Sequence, residues 1–192
     1  CDKDKIITNC GALEKLGGNA TYLRYTAAHS ALVLKNTNIS EIRENQPHLK
    51  FPQIVEFRKS TSNDWMVCEG SHNGYLKNYK KIIKRIIYFK KDESAIYGED
   101  HVISANPVKI DVVFHIRFHV MPDIDITETN KKRSLILKTK NNIIWTFKAS
   151  NELVLEDSIF VDKGDTNKTN QIVIKGITKN SREIIKWSLI KT

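Results

Sequence analysis

Between Asp111 and Val120 the chain alternates without a break. Val113, His115, Arg117 and His119 fall on one side, and Val112, Phe114, Ile116 and Phe118 on the other. A period of two sends successive side chains to opposite faces of a strand, so one face here is apolar and the other polar. Pro122 stops the run, because proline cannot donate to a ladder. A strand of this kind needs a sheet around it and a second layer against its apolar face.

The neighbours that such a strand requires recur along the chain. Ile54 to Lys59 turns through Ser60 to Asp64 and returns as Trp65 to Glu69. Ile82, Ile83, Ile86 and Ile87 have a spacing that also suits a helix. The β-branched and aromatic density through Tyr88 and Phe89 favours a strand, which turns at Lys90 to Ser94 into Ala95 to Val102. Ser134 to Thr139, Asn141-Asn142 and Ile143 to Lys148 spell a hairpin. Short runs at Ile6 to Gly11, Thr21 to Tyr25, Ala31 to Leu34, Leu153 to Leu155, Gln171 to Ile174 and Ile184 to Leu189 complete the set. Asn36-Thr37-Asn38, Gly17-Gly18-Asn19 and the Pro47 to Pro52 stretch read as turns or irregular chain, and Gly70 to Tyr75 as a glycine-bracketed loop. About a dozen short strands without a convincing helix predict an all-β fold, an antiparallel double-sheet β-sandwich of supersandwich type. No break in composition divides the chain, so residues 1–192 are read as one domain.

Hydrophobic residues at 40% and charged residues at 28% are those of an ordinary globular protein, and a bilayer-spanning helix would need a longer apolar run than any present. No membrane partner is expected. The chain opens Cys1-Asp2-Lys3-Asp4-Lys5, without a signal peptide or an initiator methionine, as though numbering began partway through a longer product. The net charge of +9 raises polyanions as partners. Lysine dominates arginine, whereas base and phosphate forks favour arginine, so a polyanionic sugar chain is preferred over nucleic acid. The densest basic cluster is Lys77, Lys80, Lys81, Lys84 and Arg85. Three cysteines, Cys1, Cys10 and Cys68, show no CxxC spacing, which excludes a cysteine zinc site. Cys10 and Cys68 are read as two buried thiols, with a bridge between them as the alternative in an exported protein.

Several side chains are candidates for function, each with a structural alternative. His29 stands among small residues at the mouth of the Ala31 to Leu34 run, as a cleft-facing group or a packed rim residue. His72 and Tyr75, in Ser71-His72-Asn73-Gly74-Tyr75, could contact glycan, the tyrosine as a stacking ring, or simply cover a sheet edge. His115 and His119 share a strand face and could hold a metal or merely pack. Arg24 and Tyr25 could meet a carboxylate near His29, the arginine as a fork and the tyrosine as a proton donor. Trp65, Trp145 and Trp187 lie within strand patterns and read as core.

Ile7-Thr8-Asn9-Cys10-Gly11, Arg24-Tyr25-Thr26-Ala27-Ala28-His29-Ser30-Ala31-Leu32-Val33-Leu34 and Ser71-His72-Asn73-Gly74-Tyr75 follow one another in this order. Ile116-Arg117-Phe118-His119-Val120-Met121-Pro122-Asp123, Leu155-Glu156-Asp157-Ser158, Gln171-Ile172-Val173 and Lys186-Trp187 come next. In order and spacing the set resembles the C-terminal β region of the heparinase II/III-like polysaccharide lyases. That resemblance implies an N-terminal helical toroid as partner, with a cleft between toroid and β region. It implies β-elimination on an acidic, uronic-acid-containing polysaccharide of glycosaminoglycan or alginate type. A bacterial parent in the periplasm or cell envelope is implied too, with the isolated chain inactive. The family's zinc site would draw on a His-x-His stretch, an acid before a glycine and a histidine opening a strand. His29 matches the last, Asn9 stands at the acidic position, and the His-x-His has no counterpart. Zinc is accordingly an expectation for the full-length parent, and no cofactor is expected for the isolated chain.

Overall fold

A computed structural model describes residues 4–12, 20–43, 51–92, 94–105 and 110–192. Cys1, the Gly17-Gly18-Asn19 turn and Pro47 lie outside the described residues. The expected double-sheet sandwich is what forms. Its larger sheet has eight strands: β3 (Val55–Thr61), β4 (Trp65–His72), β5 (Lys81–Lys90), β6 (Ala95–Ser104), β8 (Asp125–Glu128), β9 (Ser134–Lys138), β10 (Ile144–Ala149) and β13 (Arg182–Lys191). They run in the order β3-β4-β5-β6-β13-β10-β9-β8, so the last strand in sequence sits in the middle.

The smaller sheet is built on β7 (Val113–Val120), which is the alternating strand. β12 (Asp165–Ile177) pairs along one side of it, and β11 (Leu153–Asp162) pairs with β12. Two short strands share the other side of β7. β1 (Ile7–Thr8) pairs at Val120 and His119, and β2 (Leu32–Leu34) at Ile116 to Phe114. The β11–β12 hairpin closes through Lys163 and Gly164 at φ 49° and 95°. Two consecutive positive φ values make the turn whose twist matches the strands it joins.

Packing follows the alternation of β7. Phe114, Ile116 and Phe118 point inward and are buried with Phe147 and Trp187 of the opposite sheet. Phe118 meets Phe147 and Trp187 edge-on at 5.0 and 4.8 Å, while Phe147 and Trp187 stack. Each such buried side chain contributes roughly 1.5–3 kcal/mol of transfer free energy. Trp145 is core as well, whereas Trp65 is half-buried and leans on Tyr97.

Several sequence expectations are corrected. Thr21 to Tyr25 is not a strand: Ala20–Arg24 forms a 3-10 turn, followed by another at Thr26–Ala28. Gly70, Ser71 and His72 belong to β4, so the expected loop shortens to Asn73-Gly74-Tyr75, which leads into a one-turn helix α1 (Leu76–Tyr79). Cys10 and Cys68 are both free thiols, and Cys68 is half-buried rather than buried.

Candidate functional site

The outward face of β7 carries the polar half of its alternation, and the segment from Ala20 to Ala31 lies over one end of it. Five hydrogen bonds, made by His29 and the following Ser30, fix His29 in that segment. The His29 N–H donates to Thr26 O at 3.1 Å, closing the 3-10 turn, and its own carbonyl accepts from Ala31 N–H. The next residue, Ser30, donates its N–H to Asn9 Oδ1 at 2.8 Å. The Ser30 hydroxyl donates to Thr8 O and accepts the His119 N–H at 2.9 Å. Asn9 is thereby tied to Ser30, the residue after His29.

Beneath the loop, His119 is 2% exposed and has both ring nitrogens occupied. Its Nε2–H donates to Ala27 O at 3.0 Å, which leaves Nδ1 to accept the Ser158 hydroxyl at 2.8 Å. This arrangement supports a neutral imidazole, and burial lowers its pKa further from the usual histidine value. Cys10 Sγ lies 3.5 Å from Nδ1. Burial raises the Cys10 pKa, so this is a thiol beside an occupied imidazole, not an activated nucleophile. Cys10, Leu23, Ala28 and Val161 form a small second core there. Gly11 makes it fit: at φ 89° a Cβ would stand 1.9 Å from Val161 O. Sequence reasoning missed this buried Cys10–His119–Ser158 cluster, because 109 and 39 residues separate its members from His119. The outward placement of His119 was the one signal for it.

His29 itself is half-buried, and desolvation lowers its pKa, so its imidazole is neutral near pH 7. Arg24 and Tyr25 come from the same segment. Tyr25 is 42% exposed, and Arg24 Nη1 donates to Arg43 O at 3.4 Å. His72, the last residue of β4, and Tyr75 flank the neighbouring Asn73-Gly74 turn. The His72 Nδ1 accepts Gly74 N–H, and the two rings are 5.9 Å apart. Tyr75 is 1% exposed with its hydroxyl donating to Thr37 O at 2.8 Å, so the ring has no face to offer a sugar. Its role here is to tie the turn to the Asn36-Thr37-Asn38 loop, whose Asn38 Oδ1 in turn holds Thr26 N–H. The His29 segment and the His72 turn are thus linked through one hydrogen-bonded loop.

On the same outward face, His115 Nδ1, Arg117 Nη1 and Gln171 Oε1 are enclosed without a hydrogen-bond partner among the described residues. The sequence cluster of basic residues does not form one patch. Lys81 is buried against Ser104, Lys84 is paired with Glu69 and Arg85 with Asp100.

A zinc ion needs three protein donors at the least. Among the described residues no group of three His, Cys, Asp or Glu side chains converges. Asn9 adds no charge, and its carbonyl oxygen is already committed to Ser30. The residues present do not fit the implied zinc site.

Comparison with known proteins agrees with this architecture. The chain overlays on 97% of its length with a heparan sulfate lyase, HepC of Pedobacter heparinus, at a TM-score of 0.77 and 15% identity, covering 28% of that chain. A heparinase III structure overlays on 92% at 0.66 and 10% identity, covering 26% of it. At such identities the likeness establishes the fold. A curated relative, "FtsZ-localized protein C" of Caulobacter vibrioides, is 22% identical over the whole chain, which spans 36% of that protein. The chain thus corresponds to about a third or less of these relatives. The family described as "Heparinase II/III-like, C-terminal" matches residues 1–188, and the chain belongs to it.

Proposed function

We propose that this chain forms one wall of a cleft in which an acidic, uronic-acid-containing polysaccharide undergoes β-elimination, a helical toroid of the same protein forming the other. The observation that carries the reading is the held His29: a half-buried, neutral imidazole on a loop pinned to both β1 and β7. In β-elimination the proton at C5 leaves to a base, its electron pair forms the C4–C5 double bond, and the C4–O bond breaks to a protonated leaving oxygen. A neutral imidazole suits contact with such a substrate, since it both accepts and donates at neutral pH. Tyr25, exposed earlier in the same segment, is the candidate donor to the leaving oxygen, and the half-buried Arg24 the candidate fork for the uronate. The net charge of +9 attracts a polyanion. The cell-envelope setting belongs to the same reading.

The test uses the intact protein on heparan sulfate, hyaluronan and alginate, with unsaturated product followed by ultraviolet absorbance. His29→Ala is expected to lower kcat/KM by roughly 100-fold or more, and Tyr25→Phe to lower kcat. No product from the intact protein on any acidic glycan would defeat the catalytic claim.

A second reading is a carbohydrate-binding or structural β domain whose parent does no chemistry. Asn9 favours it, because an uncharged amide engaged with Ser30 replaces the family's acid. A relative named for its localisation with FtsZ is compatible with it. Glycan binding without turnover, unaffected by His29→Ala, is its expected result.

A further inference from the structure

We propose that the open edge of β3 pairs with β3 of a second copy of this chain, antiparallel and centred on Phe57, joining two eight-stranded sheets across a two-fold axis. Among the described residues β3 ends its sheet, and all seven of its residues are exposed. Val55 and Phe57 are 69% and 68% exposed, large apolar groups side by side on one face of a strand whose far edge no described residue pairs. Proteins usually blunt such an edge with proline, a bulge or a helix laid across it. Here β3 pairs with β4 in unbroken register from Val55 to Thr61 and contains no proline.

The backbone dictates which residues face outward. Asn73 N–H donates to Ile54 O at 3.2 Å and Ser62 N–H to Trp65 O at 2.8 Å. Hydrogen-bonded pairs alternate along an antiparallel ladder, so Ile54, Glu56, Arg58, Ser60 and Ser62 bond to β4. Val55, Phe57, Lys59 and Thr61 therefore turn their N–H and C=O groups to the open edge. A partner strand must match odd residues with odd residues.

Among the symmetric registers that obey this rule, the one centred on Phe57 sets Glu56 against Arg58 of the other copy, twice, and Val55 against Lys59, twice. It lays Phe57 beside its own copy and extends the apolar stripe across the axis. The adjacent allowed registers are centred on Glu56 or on Arg58 and oppose like charges at the axis; of the next two, one places Lys59 against Lys59 and the other, centred on Val55, forms no Glu56–Arg58 pair. Opposite-charge pairs stabilise a cross-strand contact and like pairs destabilise it. The Glu56–Arg58 contacts also fall at the non-hydrogen-bonded sites, where side chains approach most closely. On the same sheet face Arg58 lies opposite Glu69, itself 2.7 Å from Lys84, so the partner's Glu56 would continue an alternating row of charge. A self-complementary patch of this kind is what a two-fold interface demands.

Sedimentation equilibrium of the intact protein tests the pairing. A concentration-dependent dimer is expected. Glu56→Arg and Arg58→Glu should each weaken it roughly tenfold, since each single reversal creates two like-charge contacts. The double variant Glu56→Arg/Arg58→Glu should return to within about threefold of the unaltered protein, by restoring opposite charges in the same register. Both side chains are exposed; Arg58→Glu meets Glu69 across the ladder and should lower the melting temperature slightly, whereas Glu56→Arg, opposite Ser71, should leave it close and report that folding is intact. A protein that remains monomeric at ~100 µM, far above the dissociation constant of an ordinary specific contact, overturns the proposal. So does a dimer indifferent to the single reversals, or one that the double reversal fails to restore.

Discussion

Burial holds four imidazoles of this chain below the usual histidine pKa: His29, His72, His115 and His119. For His119 desolvation leads, opposed by the bond to Ala27 O and assisted by the charge of Arg117. The unfolded chain, with histidines near 6.5, then binds more protons than the folded one between the lowered values and about 6.5. Stability therefore rises with pH through that window and is complete above it. The melting temperature is expected to fall between pH 7.5 and 5.5, and the fall should be smaller in His119→Gln. Differential scanning calorimetry across that range reads it. Carboxylates such as Glu69, held low by the Lys84 bond, act below about pH 4.5 and leave this window to the histidines. At this scale the sequence was informative about faces and silent about partners. Alternation put His119 on the polar side of its strand, but no local pattern announces that Ala27, 92 residues away, will accept its proton. Tyr75 misled for a related reason: a Gly-bracketed turn marks exposed chain, yet its ring folds back under the Thr37 loop.

At the scale of the elements, the strands of clear period formed as expected, and the failures have a common cause. Thr21 to Tyr25 has strand-like residues, yet that preference reflects fit to a half-buried pleated surface more than a backbone tendency. With Leu23 packed into the small core beside Cys10 and Val161, the segment has no ladder partner among the described residues and coils into 3-10 turns. β8 escaped notice because Asp125–Glu128 is short and mostly polar, an edge strand recruited by β9. Where two strands meet closely, a missing side chain becomes the determinant. Gly98 on β6 faces Trp187 on β13, and a Cβ there would lie 2.1 to 2.7 Å from three indole atoms. The indole cannot withdraw, since Phe118 and Phe147 pack against it. Gly98→Ala is expected to destabilise by about 1–3 kcal/mol, the usual cost of overpacking a filled core. Urea unfolding followed by tryptophan fluorescence measures it, and an unchanged midpoint would show that the sheets can part at that point.

The two sheets are held together by more than apolar packing. Arg85 on β5 forms a two-pronged bond with Asp100 on β6, at 2.7 and 3.0 Å, and Trp187 Nε1–H donates to the same carboxylate at 2.9 Å. The guanidinium then crosses the sandwich, lies near the Phe118 ring and donates from Nη1 to Ser30 O at 2.6 Å. One side chain thus joins the large sheet to the residue that follows His29, so the position of the candidate site depends on the docking of the layers. Asp100 is 1% exposed, and without Arg85 its charge would keep, among the described residues, only the indole donor. Arg85→Leu is expected to cost about 3–5 kcal/mol, the range for orphaning a buried charge. Arg85→Leu/Asp100→Leu should recover much of that loss, because no charge is then left buried. Recovery of stability would not restore the strap. Amide exchange at Ala31 and Arg117, whose N–H donates to Ala31 O, should stay faster in the double variant than in the unaltered protein at equal global stability. Equal exchange there would mean that Asn9 and the Ser30 hydroxyl bonds hold the His29 loop without help from the second sheet.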